Sequence, residues 1–142
     1  MKKFIAGAAL ALFGPPNIAL AEEIKCTSGS QAPIELIDWS VELENTGFGD
    51  AADTVVNVRN QTGNDIVALD GRIHFFDPLD RISGTIGLPD IQAIAADEVF
   101  AISGLYSSDQ LMRLATIDPA LVTVIVCTSQ AAYADGSVEK FE

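Results

Sequence analysis

Basic side chains and histidine are scarce in this chain. Eight Lys and Arg stand against twenty Asp and Glu among 142 residues, for a formal net charge of −12, and the single histidine is His74. Apart from the adjacent Lys2 and Lys3, the basic residues are scattered singly. Because phosphate groups are bound by clusters of Lys and Arg, this composition argues against nucleic acid and anionic membrane surfaces as partners.

Several common catalytic patterns are also missing. One histidine excludes a zinc site built from several imidazoles, and the chain has no Gly-x-Ser-x-Gly elbow and no glycine-rich phosphate loop. His74 falls between Arg72 and Phe76 on the outward face of a predicted strand, where a surface role is sufficient. The sequence therefore predicts no catalytic residue, and we keep a small hydrolase using His74 and a carboxylate as the second alternative.

The longest apolar run is too short to cross a membrane. Phe4–Phe13 supplies about half of the roughly twenty residues that a spanning helix needs. Lys2 and Lys3 precede this run, Gly14-Pro15-Pro16 breaks it, and the small-x-small pattern Ala19–Ala21 follows. This layout is typical of a signal peptide. We therefore expect residues 1–21 to be removed, leaving a periplasmic or secreted protein without a membrane anchor.

The chain has only two cysteines, Cys26 and Cys127. In an oxidising compartment such a pair predicts one intramolecular disulfide. A redox-active pair is disfavoured, since those sites usually place the two cysteines close together in sequence.

The organisation of the chain is that of one domain. After the leader, residues 22–33 are predicted as a flexible lead-in because Thr27–Gln31 are small and polar. Residues 34–142 contain no linker and no internal repeat, and we expect them to form a single β domain with one core.

Apolar residues recur at every second position, as in strands with one buried face. Ile37, Trp39, Val41 and Leu43 alternate with polar residues, and residues 54–60 place Val56 and Val58 on one side. In residues 66–77 the predicted inward set is Val67, Leu69, Gly71, Ile73 and Phe75, and the outward set is Asp70, Arg72, His74 and Phe76. Further strands are predicted at 81–88, 97–106, 121–134 and 137–141.

The remaining segments give more local predictions. Gly84 and Gly87 make 81–88 an edge strand or a site of close backbone approach, and 121–129 should be buried on both sides. Residues 89–96 are predicted as a loop or a short helical turn. A short helix should follow Ser107, which has capping-box spacing to Gln110, and end at Asp118-Pro119. Asp135-Gly136 is a hairpin signal.

Short strands at nearly regular spacing indicate an immunoglobulin-like antiparallel β-sandwich of about seven strands, with one short helix and one disulfide. Within it, residues 55–60, 71–78 and 104–106 resemble the small extracytoplasmic immunoglobulin-like modules related to the FxLYD and late-embryogenesis type-2 sandwiches. The resemblance covers roughly residues 35–141. It implies the fold and an accessory or interaction role without catalytic residues, and the literal Phe-x-Leu-Tyr-Asp string is absent.

These observations predict an exported, non-enzymatic binding or accessory module that contacts another envelope or extracellular macromolecule. We expect a protein partner, bound through an exposed strand edge near 81–88 or through acidic loops. The first alternative is a calcium-binding module with Asp77 and Asp80 as ligands, or Asp50 with Asp53, since oxygen ligands clustered in turns bind calcium outside cells. No other cofactor is expected. The simpler interpretation of Asp77–Asp80 is a turn in which Asp77 caps backbone amides.

Overall fold

The structure is a computed structural model that describes Cys26 and residues 32–141. The predicted signal peptide and nearly all of the predicted lead-in lie outside the described residues. No helix in the described part is long and apolar enough to cross a membrane.

Eight strands and one α-helix make up the described chain. The strands are β1 Ile34–Asn45, β2 Asp50–Asn60, β3 Ile66–Phe76, β4 Ile82–Gly87, β5 Ile91–Ile94, β6 Val99–Tyr106, β7 Thr123–Tyr133 and β8 Val138–Lys140. The helix α1 spans Asp109–Leu114, and a 3-10 turn covers Pro119–Leu121.

The strands form two antiparallel sheets that enclose one core. The three-stranded sheet has the order β1-β2-β6, and the five-stranded sheet has the order β4-β3-β7-β8, with β5 also paired to β3. The predicted all-β sandwich with one short helix is thus confirmed, with eight strands where about seven were expected.

The core joins the inner faces of both sheets. Val56 and Val58 of β2 and Ile73 and Phe75 of β3 are fully buried in one apolar cluster, as the alternation predicted. Removal of this apolar surface from water is the main favourable term for the fold.

Two side chains differ in burial from the prediction, and a β-bulge explains one of them. The register between β1 and β2 slips between Leu36 and Asp38, so Ile37 is exposed although it was assigned to the inward face. One extra residue in a strand moves the side chains beyond it to the opposite face. Phe76, predicted outward, is only 3% exposed, and the slip beside it puts the extra residue, Ser83, in β4, so that slip leaves the alternation of β3 unchanged.

Two further residues that were assigned to the inward face, Val67 and Leu43, are exposed for different reasons. Val67 is exposed because the pairing of β3 is irregular between Ile66 and Ala68. Leu43 is exposed because residues 42–50 are all exposed, so this end of the β1–β2 hairpin projects beyond the core.

Other local predictions are corrected or confirmed. Residues 91–94 of the expected loop form strand β5. The helix cap is Ser108, not Ser107, since its hydroxyl accepts from the Leu111 amide at 3.2 Å. The predicted two-sided burial of 121–129 holds only for Val126–Thr128. The turn at Asp135-Gly136 and the edge position of β4 are as predicted.

Candidate interaction site

The tip of the β1–β2 hairpin presents an aromatic side chain to solvent. Phe48 is 102% exposed, the highest exposure among the large apolar residues described. Gly47 and Gly49 on either side have φ angles of 89° and 127°, in the left-handed region that side chains other than glycine rarely adopt. No sequence pattern predicted a contact residue here, although a phenylalanine between two turn glycines is the signal that marks it.

Hydrogen bonds hold the backbone of this tip. Thr46 donates from its amide at 3.0 Å and from its hydroxyl at 2.9 Å to the Gly49 carbonyl. The Gly47 amide donates to Asn45 Oδ1 at 2.9 Å, and the Phe48 amide to Thr46 Oγ1 at 3.3 Å. A preformed loop loses little conformational entropy on binding. Binding through the Phe48 ring therefore carries only a small entropic penalty.

Carboxylates lie on both strands of the hairpin that carries this turn. Glu42, Glu44, Asp50 and Asp53 lie between residues 42 and 53, a stretch without Lys or Arg. Glu42 pairs directly with Asp53 across the strands, and like charges placed opposite each other are destabilising. We call Phe48 and these four carboxylates the hairpin tip. Its charge distribution opposes folding and suits a positively charged partner.

Asp77 and Asp80, the residues predicted as calcium ligands, share the β3–β4 turn. Asp77 is 3% exposed, and its Oδ1 accepts from the amides of Leu79 at 2.8 Å and Arg81 at 3.0 Å. Its Oδ2 accepts from Arg81 Nε at 3.1 Å and lies 3.9 Å from Arg113 Nη2. The capping interpretation therefore describes the geometry of Asp77, whose charge is met by two guanidinium groups.

The electrostatics of Asp77 agree with this contact set. Burial raises the pKa of the carboxyl, but the amides of Arg81 and Leu79 and the Arg81 guanidinium more than offset it, so the pKa lies below its usual value. In the described part of the chain, no group of three or more His, Cys, Asp or Glu side chains is arranged to hold a metal ion.

His74 has a neutral polar neighbour. Its Nδ1 lies 3.0 Å from Thr85 Oγ1 on the adjacent strand β4. Burial, and to a lesser degree the charge of Arg72, lower the pKa of the imidazole. No hydrogen bond joins His74 to a carboxylate within the described residues, so the pairing required by the hydrolase alternative is not formed.

Two shallow surface grooves of about 320 Å³ each are present among the described residues. One lies over β3, β7 and β8, and its lining includes Ala68, Asp70, Gln130 and Ala132. The other lies beside β5 and includes Asp65 and Glu98. Among the described residues, neither groove is lined by histidine, cysteine, lysine or arginine.

The predicted disulfide is confirmed. Cys26 and Cys127 are bonded, with Cα atoms 5.3 Å apart and a sequence separation of 101. The bond ties the segment before β1 to strand β7.

Fold and site together define an antiparallel β-sandwich with a projecting, acidic hairpin tip. No protein-family model, no curated protein and no solved structure matches the chain.

Proposed function

We propose that the protein is an exported, non-enzymatic binding module that docks onto another macromolecule of the cell envelope or extracellular space through its hairpin tip. The observation that carries this proposal is the full exposure of Phe48 on a hydrogen-bonded turn. Burial of a phenylalanine side chain stabilises by about 1.5 to 3 kcal/mol. Because Phe48 is fully exposed in the described structure, this burial requires contact with a second molecule.

The chemistry of the tip specifies the kind of partner. The phenyl ring fits an apolar pocket, and the carboxylates on the two strands of the hairpin fit a rim of Lys and Arg side chains. Complementary charge of this type mainly raises the association rate and excludes wrong partners. We therefore propose a basic protein surface as the partner of the tip.

Two further observations support the remaining parts of the proposal. The disulfide fits an oxidising compartment such as the periplasm or the extracellular space. The contacts of His74 and Asp77 are those of side chains engaged in the fold, which favours binding over catalysis.

Site-specific photocrosslinking in cells tests the proposal. A photoreactive residue at position 48 should capture a basic protein, whereas one at Val138, which is 60% exposed at the opposite end of the sandwich, should not. Phe48→Ala should weaken the isolated complex at least about tenfold, and Phe48→Trp should retain it. Capture of the same protein from both positions, or an unchanged affinity of Phe48→Ala, contradicts the proposal.

A further inference from the structure

Strand β6 is a long free edge without a charged residue or a proline. It reads Val-Phe-Ala-Ile-Ser-Gly-Leu-Tyr from Val99 to Tyr106 and pairs only with β2 among the described strands. Free edges are usually protected by charge, proline or shortness. By contrast, β1 carries four carboxylates along its length, and β8 has three residues.

A bulge at the start of β6 establishes which of its backbone groups face the free edge. The Asp97 amide donates to the Asn60 carbonyl at 2.8 Å, and the Asn60 amide to the Glu98 carbonyl at 3.0 Å, with Asp97 at φ 64°. This is the G1 bulge pattern. Since bonded and non-bonded pairs alternate in an antiparallel ladder, Phe100 bonds to β2 and Ala101 directs its amide and carbonyl away from it.

The same alternation extends along the strand. The residues with outward backbone groups are Val99, Ala101, Ser103 and Leu105, and all four side chains are exposed on the outer face. Val99 is 48% and Leu105 53% exposed, and both are large apolar residues. Pairing at this edge would satisfy the free backbone groups and cover both side chains.

We propose that β6 pairs antiparallel with β6 of a second copy of the chain about a two-fold axis at Ile102. In this register Val99 lies opposite Leu105 of the other copy, and Ala101 lies opposite Ser103. All four outward residues of each copy then bond, which gives about eight inter-chain hydrogen bonds. Registers centred on Ala101 or Ser103 leave one of the four without a partner.

In this register the side chains of β6 in one copy fit those of β6 in the other copy. The two exposed apolar residues, Val99 and Leu105, contact each other across the interface, and the buried ring of Phe100 lies opposite Gly104 of the other copy. The uncharged edge also adds no charge repulsion at the contact itself. At a net charge of −12 per chain, an uncharged edge lets two copies pair without aligning carboxylates, as self-pairing of β1 would do.

Oligomeric state tests the proposal directly. Sedimentation of the purified protein from about 1 µM to about 1 mM should show a monomer–dimer equilibrium that strengthens as salt screens the repulsion between acidic chains. Ala101→Pro removes one outward amide without breaking a bond to β2 and should weaken the dimer at least about tenfold. Circular dichroism serves as the control for folding.

Paired cysteine variants test the register. Ala101→Cys mixed with Ser103→Cys should form a disulfide-linked dimer, because these positions face each other at a Cα separation of about 5.5 Å. Val99→Cys mixed with Ala101→Cys should not. A protein that stays monomeric throughout this concentration range, or that crosslinks independently of register, overturns the proposal. If a photoreactive residue at position 101 captures only an unrelated protein, the edge pairs with a strand of that protein and the proposal is wrong. Phe48→Ala should leave the dimer intact, which separates this result from the test of the hairpin tip.

Discussion

The indole of Trp39 meets the ring of Phe75 edge to face, with ring centroids 5.8 Å apart and planes inclined at 77°. Trp39 belongs to β1 and Phe75 to β3, so this contact joins the two sheets across the core. Edge-to-face pairs add about 0.5 to 1.5 kcal/mol to the burial of their surfaces. Because Trp39 is the only tryptophan, its fluorescence reports on the core.

Removal of the Phe75 ring should be costly. Phe75→Ala is expected to lower the free energy of unfolding by about 3 to 5 kcal/mol and to shift the Trp39 emission to longer wavelength as water enters. Phe48→Ala is the matched control, since the same truncation at a fully exposed position should change stability by no more than about 0.5 kcal/mol. Equal effects in denaturant titrations would show that burial does not explain the Phe75 contribution.

The disulfide should supply a large share of the stability. Closing a loop of this length stabilises a protein by about 4 to 5 kcal/mol in the chain-entropy model. The paired substitution Cys26→Ser with Cys127→Ser should therefore lower the free energy of unfolding by about that amount, measured in urea. The single substitution Cys26→Ser, which leaves Cys127 free, should lower the free energy of unfolding by nearly the same amount, because it removes the same cross-link.

Sequence periodicity predicted the strands well because burial of one strand face imposes it. It placed Val56, Val58, Ile73 and Phe75 in the core correctly. It was wrong at Ile37, since a bulge depends on the pairing strand and leaves no periodic signal in its own residues. It was also wrong at Phe76, which is buried although it directly follows the buried Phe75 in the same strand.

The candidate site was harder to predict than the core. Periodicity assigned Leu43 to the core, although this end of the β1–β2 hairpin extends beyond the opposing sheet and leaves Leu43 exposed. How far a hairpin projects depends on where the facing sheet ends, which local sequence does not encode. Phe48 was therefore recognisable as a turn residue only, and its exposure required the structure.

Asp77 should make the protein sensitive to acid. Its pKa is lowered in the folded state, so its stabilising contribution is present above the unfolded-state value of 3.8 and is lost as pH falls below it toward the folded-state pKa. Asp77→Asn should lower stability at neutral pH by about 1 to 3 kcal/mol and flatten the acid limb of the stability curve. Asp80→Asn in the same turn should be nearly neutral, since asparagine tolerates the left-handed φ of 59° there.

The phenol of Tyr133 should lose its proton only at high pH. Burial, followed by the hydrogen bond and charge of Glu139, raises the pKa of its phenol to about 12, and the hydroxyl donates to Glu139 Oε1 at 2.6 Å. The associated stability is present below pH 10, the usual value, and is lost as pH rises through about 12. Phenolate absorbance should show a step near pH 12, which Tyr133→Phe removes and Glu139→Gln moves to lower pH. An unchanged step in Tyr133→Phe would contradict this assignment.

Two glycines of the edge strand β4 allow a matched test of packing against the helix. A Cβ at Gly84 would lie 2.5 Å from Leu111 Cδ2, whereas one at Gly87 would meet nothing within 4 Å. Leu111 is itself buried and cannot move aside freely, so Gly84→Ala should cost about 1 to 3 kcal/mol through overpacking. Gly87→Ala should be neutral or stabilising by less than about 1 kcal/mol, since alanine restricts the unfolded chain. In a double-mutant cycle, Leu111→Ala should recover part of the Gly84→Ala penalty. Additive effects of the two substitutions would mean that the helix does not press on β4 at this point.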